Sequence, residues 1–121
     1  MKRLEDKVVV ITGAGGGMGR EAAILFSDEG ARVCVADVDG DAAESAAAEA
    51  REAFAVQVDV SDSDSVRRMY EATVERYGGI DVLYNNAGIS PAEDGSILET
   101  EPDAWQRVQD VNTKGVYLCC K

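Results

Sequence analysis

At 121 residues the chain is one domain or part of one, long enough to bury roughly two-thirds of its unfolded surface if it closes on itself. Its 12 basic residues stand against 23 acidic ones, a net charge of −11 spread along the chain, which argues against nucleic acid and anionic membrane as partners and describes a self-repelling, soluble surface. Cys34, Cys119 and Cys120 make no disulfide framework, and Lys2 and Arg3 are followed by acids and only four apolar residues, so the expectation is a cytoplasmic chain without signal or membrane span. No metal site is expected.

The run from Lys7 to Ile11 is apolar and β-branched, the pattern of a strand covered on both faces of a parallel sheet. It feeds TGAGGGMG, residues 12–19, where five of seven positions from Gly13 are glycine and a helical pattern begins near Met18. Strand, glycine turn and helix together form a phosphate cradle, because glycines admit close approach and the helix start offers unpaired N–H groups to an anion. The helix places Ala22, Ala23, Ile24, Leu25 and Phe26 on one broad apolar face and ends at Gly30, read as its C′ residue. Arg32 to Ala36 is a second strand that runs into Asp37.

Asp39 is placed to cap a second helix, whose alanines at 42, 43, 46, 47 and 50 give it a slim packing face. Phe54 to Val58 follows as a short strand. Ser61, with Asp64 three residues on, resembles a capping box for a third helix whose stripe is Val66, Met69, Tyr70, Thr73, Val74 and Tyr77. Gly78 and Gly79 stop it, and Ile80 to Tyr84 forms a fourth strand. A polar loop from Ser90 to Glu99 leads to Thr100, the expected cap of a last helix with Trp105, Val108, Asn112, Gly115 and Cys119 on one face.

This β-α alternation predicts a doubly wound, Rossmann-like parallel sheet in strand order 3-2-1-4, with the first two helices on one face and the last two on the other. Ligand is expected at the switch point between strands one and four, at their carboxyl ends. Asp37 stands there, 24 positions after Gly13, near the spacing of about 20 at which an acid holds a ribose 2′-hydroxyl. An acid at that point repels a 2′-phosphate. No Lys or Arg lies between Gly13 and Gly19 or directly after Asp37, so NAD is expected over NADP. Asp59 and Val60 end the third strand as a polar and an apolar group able to frame an adenine, and Asn85-Asn86-Ala87-Gly88 ends the fourth.

TGAGGGMG, Asp37, Asp59-Val60, NNAG at 85–88 and Asp110-Val111-Asn112 with Gly115 resemble, in order and spacing, the amino-terminal half of a short-chain dehydrogenase/reductase. The resemblance covers essentially the whole chain. It implies hydride transfer between a nicotinamide and a hydroxyl or carbonyl carbon of a small-molecule substrate, and a complete protein that assembles with copies of itself. By position, Gly13, Gly16, Gly17, Met18 and Gly19 would line the pyrophosphate and Asp37 the adenosine ribose. Asp59 and Val60 would meet the adenine, Asn86, Ala87 and Gly88 would lie along the cofactor, and Asn112 matches the helix asparagine that supports a proton relay through water.

The family's general acid/base is a tyrosine with a lysine four residues on and a serine upstream, and the chain is expected to stop before all three. Tyr117 and Lys121 have that spacing. At about 100° per residue, however, Tyr117 lies roughly 140° and Lys121 about 180° round a helix from Asn112, so the pair faces away from any site Asn112 faces. The chain is therefore read as the cofactor-binding half of an NAD-dependent oxidoreductase, inactive alone. The other class is a non-enzymatic dinucleotide-binding or interaction fragment. The fourth strand is expected to be an apolar edge, leaving the isolated chain poorly folded or self-associated.

Overall fold

The computed structural model describes residues 2–121. Four strands, β1 (Val8–Thr12), β2 (Arg32–Asp37), β3 (Ala53–Gln57) and β4 (Val82–Tyr84), form one sheet in the order β3-β2-β1-β4. All three pairings are parallel, and Val10 stands between Cys34 of β2 and Leu83 of β4. Because a parallel strand in this setting has helices on both faces, every residue of β1 is buried.

The helices are α1 (Gly17–Asp28), α2 (Gly40–Glu49), α3 (Ser63–Tyr77), α4 (Pro102–Gln109) and α5 (Gly115–Cys120), with a π-helical turn, Asp110–Lys114, joining the last two. Their two sides make two cores. On one, Val9 and Ile11 of β1 and Val33 and Val35 of β2 meet Ala23 of α1 and Ala43 and Ala46 of α2. On the other, Val10, Cys34 and Ala36 meet Val66 and Met69 of α3 and Cys119 of α5. The division follows from the period of two along each strand, which sends alternate residues to opposite faces. It matches the expected distribution of helices.

Helix ends show where local reading succeeded and failed. Asp39 caps α2, its carboxylate accepting from the Ala42 N–H at 3.1 Å. Gly30, at φ 98°, closes α1 in a Schellman arrangement, with Ala31 N donating to Phe26 O and Gly30 N to Ser27 O. The cap of α3, by contrast, is Asp62 and not Ser61; the Asp62 carboxylate accepts from Asp64 N, while Ser61 is drawn away to Asp59. Thr100 does not cap α4 either. Its hydroxyl accepts from Gly95 N and donates to Ser96 O within the loop, and Glu101 precedes a helix opened by Pro102.

The last helical stretch departs most from expectation. A straight 3.6-residue helix puts Trp105 and Asn112 on the packed face, but Trp105 is 57% exposed and Asn112 is exposed too. The inward series is Ala104, Val108, Val111, Gly115 and Cys119, all buried or half-buried. At 100° per residue these five positions fall within a stripe about 80° wide, so the expected face is centred too far round the helix, and the π turn at Asp110–Lys114 does not break the stripe.

The fourth strand is shorter than expected, three residues in place of five, and Ile80 lies outside it. Asp81 anchors its start: its carboxylate accepts from Val8 N at 2.9 Å and its own N–H donates to Val8 O at 2.9 Å. β4 pairs with β1 alone, so its other edge is open. Leu25, assigned from sequence to the packed face of α1, is 52% exposed and lines an apolar cleft with Phe26 and Val82 beside that edge.

Candidate functional site

Where β1 ends, the backbone turns sharply through Gly13 at φ 65°, a left-handed conformation that favours glycine. A side chain there is also barred by space, because a Cβ would come within 2.7 Å of Ala87 Cα. Gly19 is tighter still, its Cβ position lying 2.5 Å from Asn86 Nδ2 and 2.6 Å from Gly13 O. These two glycines serve close packing between the turn and the end of β4. Gly16 and Gly17 are different: nothing stands within 4 Å of either Cβ position. The glycines thus fall into a pair that closes the turn on the protein and a pair that leaves it open to a ligand.

Helix α1 begins at that open side without a side-chain cap and without an acidic residue in its first turn. Its first intrahelical bond to Gly16 O comes from Arg20 N, so the N–H groups of Gly17, Met18 and Gly19 point out of the helix end. Met18 is 76% exposed over them. A helix start with bare amides and positive dipole is matched to an anion such as a pyrophosphate.

Asp37 sits beside this turn at the end of β2, and the fold fixes both of its oxygens. Oδ2 accepts from Gly15 N at 2.9 Å and Oδ1 from Asp39 N at 2.9 Å. Gly15 must be glycine for this to happen, since a Cβ would meet Ala42 Cβ at 2.8 Å and Asp37 Oδ2 at 2.9 Å. The carboxylate is thereby preorganised, with its remaining lone pairs available to hydroxyl donors. Arg20, the basic residue nearest the glycine turn in sequence, is occupied by Glu49 of α2 at 2.5 Å.

The end of β4 is locked onto the end of β1 through Thr12, whose hydroxyl accepts from Asn86 N at 3.2 Å and Ala87 N at 3.1 Å. Asn86 adds a bond from Nδ2 to Gly13 O at 3.1 Å. Asn112, on the π turn, then holds the segment just beyond: its Oδ1 accepts from Ile89 N at 2.8 Å and its Nδ2 donates to Ile89 O at 2.9 Å. Thr12 and Gly15 were read from sequence only as members of the glycine turn, without these partners. A buried threonine closing a strand and one more glycine in a glycine-rich turn carry no local signal of these partners.

Together these strand ends enclose a cavity of about 500 Å³, reaching from Gly13 and Asp37 past Asp59 and Val60 to Ala87 and Gly88. Asp59 Oδ1 accepts from Ser61 N at 3.0 Å and Ser61 Oγ at 2.6 Å, and Asp59 N donates to Ser65 Oγ at 2.9 Å. Val111, named from sequence only within the Asp110-Val111-Asn112 motif, and Arg107, not singled out there, close the far end. Gly16, Gly17, Met18 and Gly19 stand at the helix start and are not part of the cavity lining, and Asn112 reaches it through Ile89. Tyr117 and Lys121 do not line it; Tyr117 is 60% exposed, and Lys121 borders an apolar groove of about 610 Å³ between α3 and α5 that holds none of these site residues.

The family model for short chain dehydrogenases matches residues 7–121. The chain belongs to the short-chain dehydrogenase family. This is an oxidoreductase family, and the parallel Rossmann-like sheet is its framework. Meso-2,3-butanediol dehydrogenase of Serratia marcescens is 49% identical over 121 residues, 98% of this chain and 47% of that protein. Secoisolariciresinol dehydrogenase of Forsythia intermedia is 38% identical over 122 residues, 99% and 44% of the two chains. Among solved structures, a 3-ketoacyl-(acyl-carrier-protein) reductase from Brucella melitensis complexed with NADH superposes with a TM-score of 0.92 at 40% identity, covering 97% of this chain and 48% of that one. This short-chain dehydrogenase chain spans about half the length of the curated relatives it matches.

Proposed function

We propose that this chain is the cofactor-binding half of an NAD-dependent oxidoreductase that moves a hydride between a nicotinamide and a hydroxyl or carbonyl carbon of a small molecule. The observation that carries the reading is Asp37, held by Gly15 N and Asp39 N at the rim of the glycine turn. Two ribose hydroxyls are suitable donors to its free lone pairs, whereas a 2′-phosphate would meet a fixed negative charge with no free cation at the turn to offset it. NAD, when bound, supplies the hydride acceptor. The chain's own residues bind and orient it: the amides of Gly17, Met18 and Gly19 take the pyrophosphate, with Gly13 and Gly16 giving it room, Asp59 and Val60 frame the adenine, and Asn86, Ala87 and Gly88 form the wall along the cofactor.

Asn112 acts here as a positioning residue. Its carboxamide fixes both the N–H and the C=O of Ile89, so a water-borne proton relay at this point has only its second N–H and remaining lone pairs to use. We place the complete protein in the cytoplasm as a homo-oligomer. The half-length match to the relatives and the open β4 edge support the companion reading that the isolated chain is inactive and self-associates.

Titration of the chain with NADH, followed by fluorescence, tests the cofactor assignment. Asp37→Ala should weaken NADH binding by about tenfold or more, the loss of a hydrogen bond to a charged group, and should narrow the preference over NADPH. Equal NADH affinity for the two proteins, or tighter NADPH than NADH binding by the wild type, overturns the NAD assignment.

A further inference from the structure

The cavity has chemically unlike ends. Its charges at Asp37 and Asp59 are negative, and the one Lys or Arg among its described lining residues is Arg107 on α4. Arg107 Nη2 lies 3.4 Å from Glu93 Oε2, with the two side chains 54% and 64% exposed. A pair this exposed contributes little to stability. It places the guanidinium at the cavity mouth beside Glu93, in the loop after β4.

Between Asp37 and Arg107 the walls suit a flat heteroaromatic ring. Val60 and Val111 supply apolar surface, and Asp59 has one oxygen engaged by Ser61 and the other without a partner among the described residues. That free oxygen is available to accept from an exocyclic amino group. A planar guanidinium at the open end can stack on the ring face and donate toward ring nitrogens, neither of which a lysine ammonium does in the same way.

We infer that Arg107 is a base-binding residue that closes the base end of this cavity on an adenine-class ring, with Glu93 beside the guanidinium at the mouth. The inference rests on the dinucleotide reading above and extends it to a residue that neither the glycine turn nor the strand-end motifs indicate. Loss of Arg107 removes one aromatic contact at an exposed site, so the effect on binding is modest and falls on any ligand that carries the base.

The test is titration of the full chain, its Arg107→Ala variant and its Arg107→Lys variant with NADH and, separately, with AMP, after circular dichroism has shown the three proteins equally folded. Arg107→Ala should weaken both ligands by about three- to fivefold, and Arg107→Lys should not restore them, because it returns the charge without the plane. Wild-type affinity in Arg107→Ala, full rescue by lysine, or a loss for NADH without a loss for AMP each overturns the role of Arg107 while leaving the dinucleotide site standing. Failure of the wild-type chain to bind either ligand overturns the dinucleotide reading, and the role of Arg107 with it.

Discussion

The two neighbours of β1 make opposite uses of the same kind of sequence. β2 is six residues long, hydrogen-bonded on both edges, and buried at Val33, Cys34, Val35 and Ala36. β4 is three residues long and bonded on one edge, with Val82 37% exposed. Both are apolar, so composition does not separate them. Burial of a strand is conferred by what lies beside it and over it, and among the described residues β4 has β1 beside it and no strand beyond.

That contrast can be broken most directly by truncating one side chain on each strand region. Val35→Ala, within the covered β2, should cost about 2 kcal/mol or more, whereas Val82→Ala should cost less than about 1 kcal/mol, as read from urea unfolding midpoints. Equal costs would show that the edge at β4 is covered in solution. Replacing Val82 by Lys should then also lower any concentration-dependent association seen by sedimentation, since an edge charge blocks strand pairing.

A smaller effect sharpens the comparison at the glycine turn, where the closed and open regions meet. Gly19→Ala drives a methyl into Asn86 and Gly13 and should cost about 1–3 kcal/mol. Gly16→Ala, at φ −161° with open space around it, should leave the unfolding midpoint within about 0.5 kcal/mol of wild type and weaken NADH binding instead. A destabilised Gly16→Ala with unchanged NADH affinity would assign both glycines to folding.

Near neutral pH the smallest expected effect is that of proton loss in the core beneath α3 and α5, which sets in only under alkaline conditions. Burial pushes the Cys34 thiol up to about 11 from 9.0, despite a hydrogen bond with Thr73 that acts the other way. Burial and the neighbouring Cys120 push Cys119 to about 11, and burial with the nearby thiols raises Tyr70, whose hydroxyl donates to the Cys119 carbonyl. Each group holds its proton more tightly in the folded chain than in the unfolded one. Their contribution is therefore fully present below pH 9 and is lost as pH rises toward 11 and beyond. The unfolding midpoint should be flat up to about pH 8.5 and fall above it, and near neutral pH a maleimide should label exposed Cys120 ahead of Cys34 and Cys119. Labelling of Cys34 at the same rate as Cys120 would show that the α3 side opens as readily as the β4 edge.

Two helix ends were legible because their signals are local. The Asp39 cap and the C′ glycine at Gly30 each depend on residues within a turn of one another, and each matches the structure. The caps at Ser61 and Thr100 were misread because a hydroxyl has more than one partner within reach. Asp59 claims Ser61, and Gly95 and Ser96 claim Thr100, contacts that arise only once the strand end and the loop are in place. The face of Trp105 was misread because two overlapping stripes, Ala104-Val108-Val111-Gly115-Cys119 and Trp105-Val108-Asn112-Gly115-Cys119, both keep the helical period, and only packing on the sheet selects the first.

By itself, the sequence determined the β-α alternation, the strand order, the position of the glycine turn and the acid at the end of the second strand. These follow from periodicity, chirality of crossovers and turn chemistry, all of which act over short stretches of chain. Only the tertiary structure decided that Thr12 locks the end of β4, that Gly15 fixes Asp37, that Asn112 grips Ile89, and that Arg107 closes the far end of the cavity. Those contacts join residues 22 to 75 positions apart in three of the four cases, as in Gly15–Asp37, Ile89–Asn112 and Thr12–Ala87, and no local pattern in a chain encodes a partner that only folding brings near.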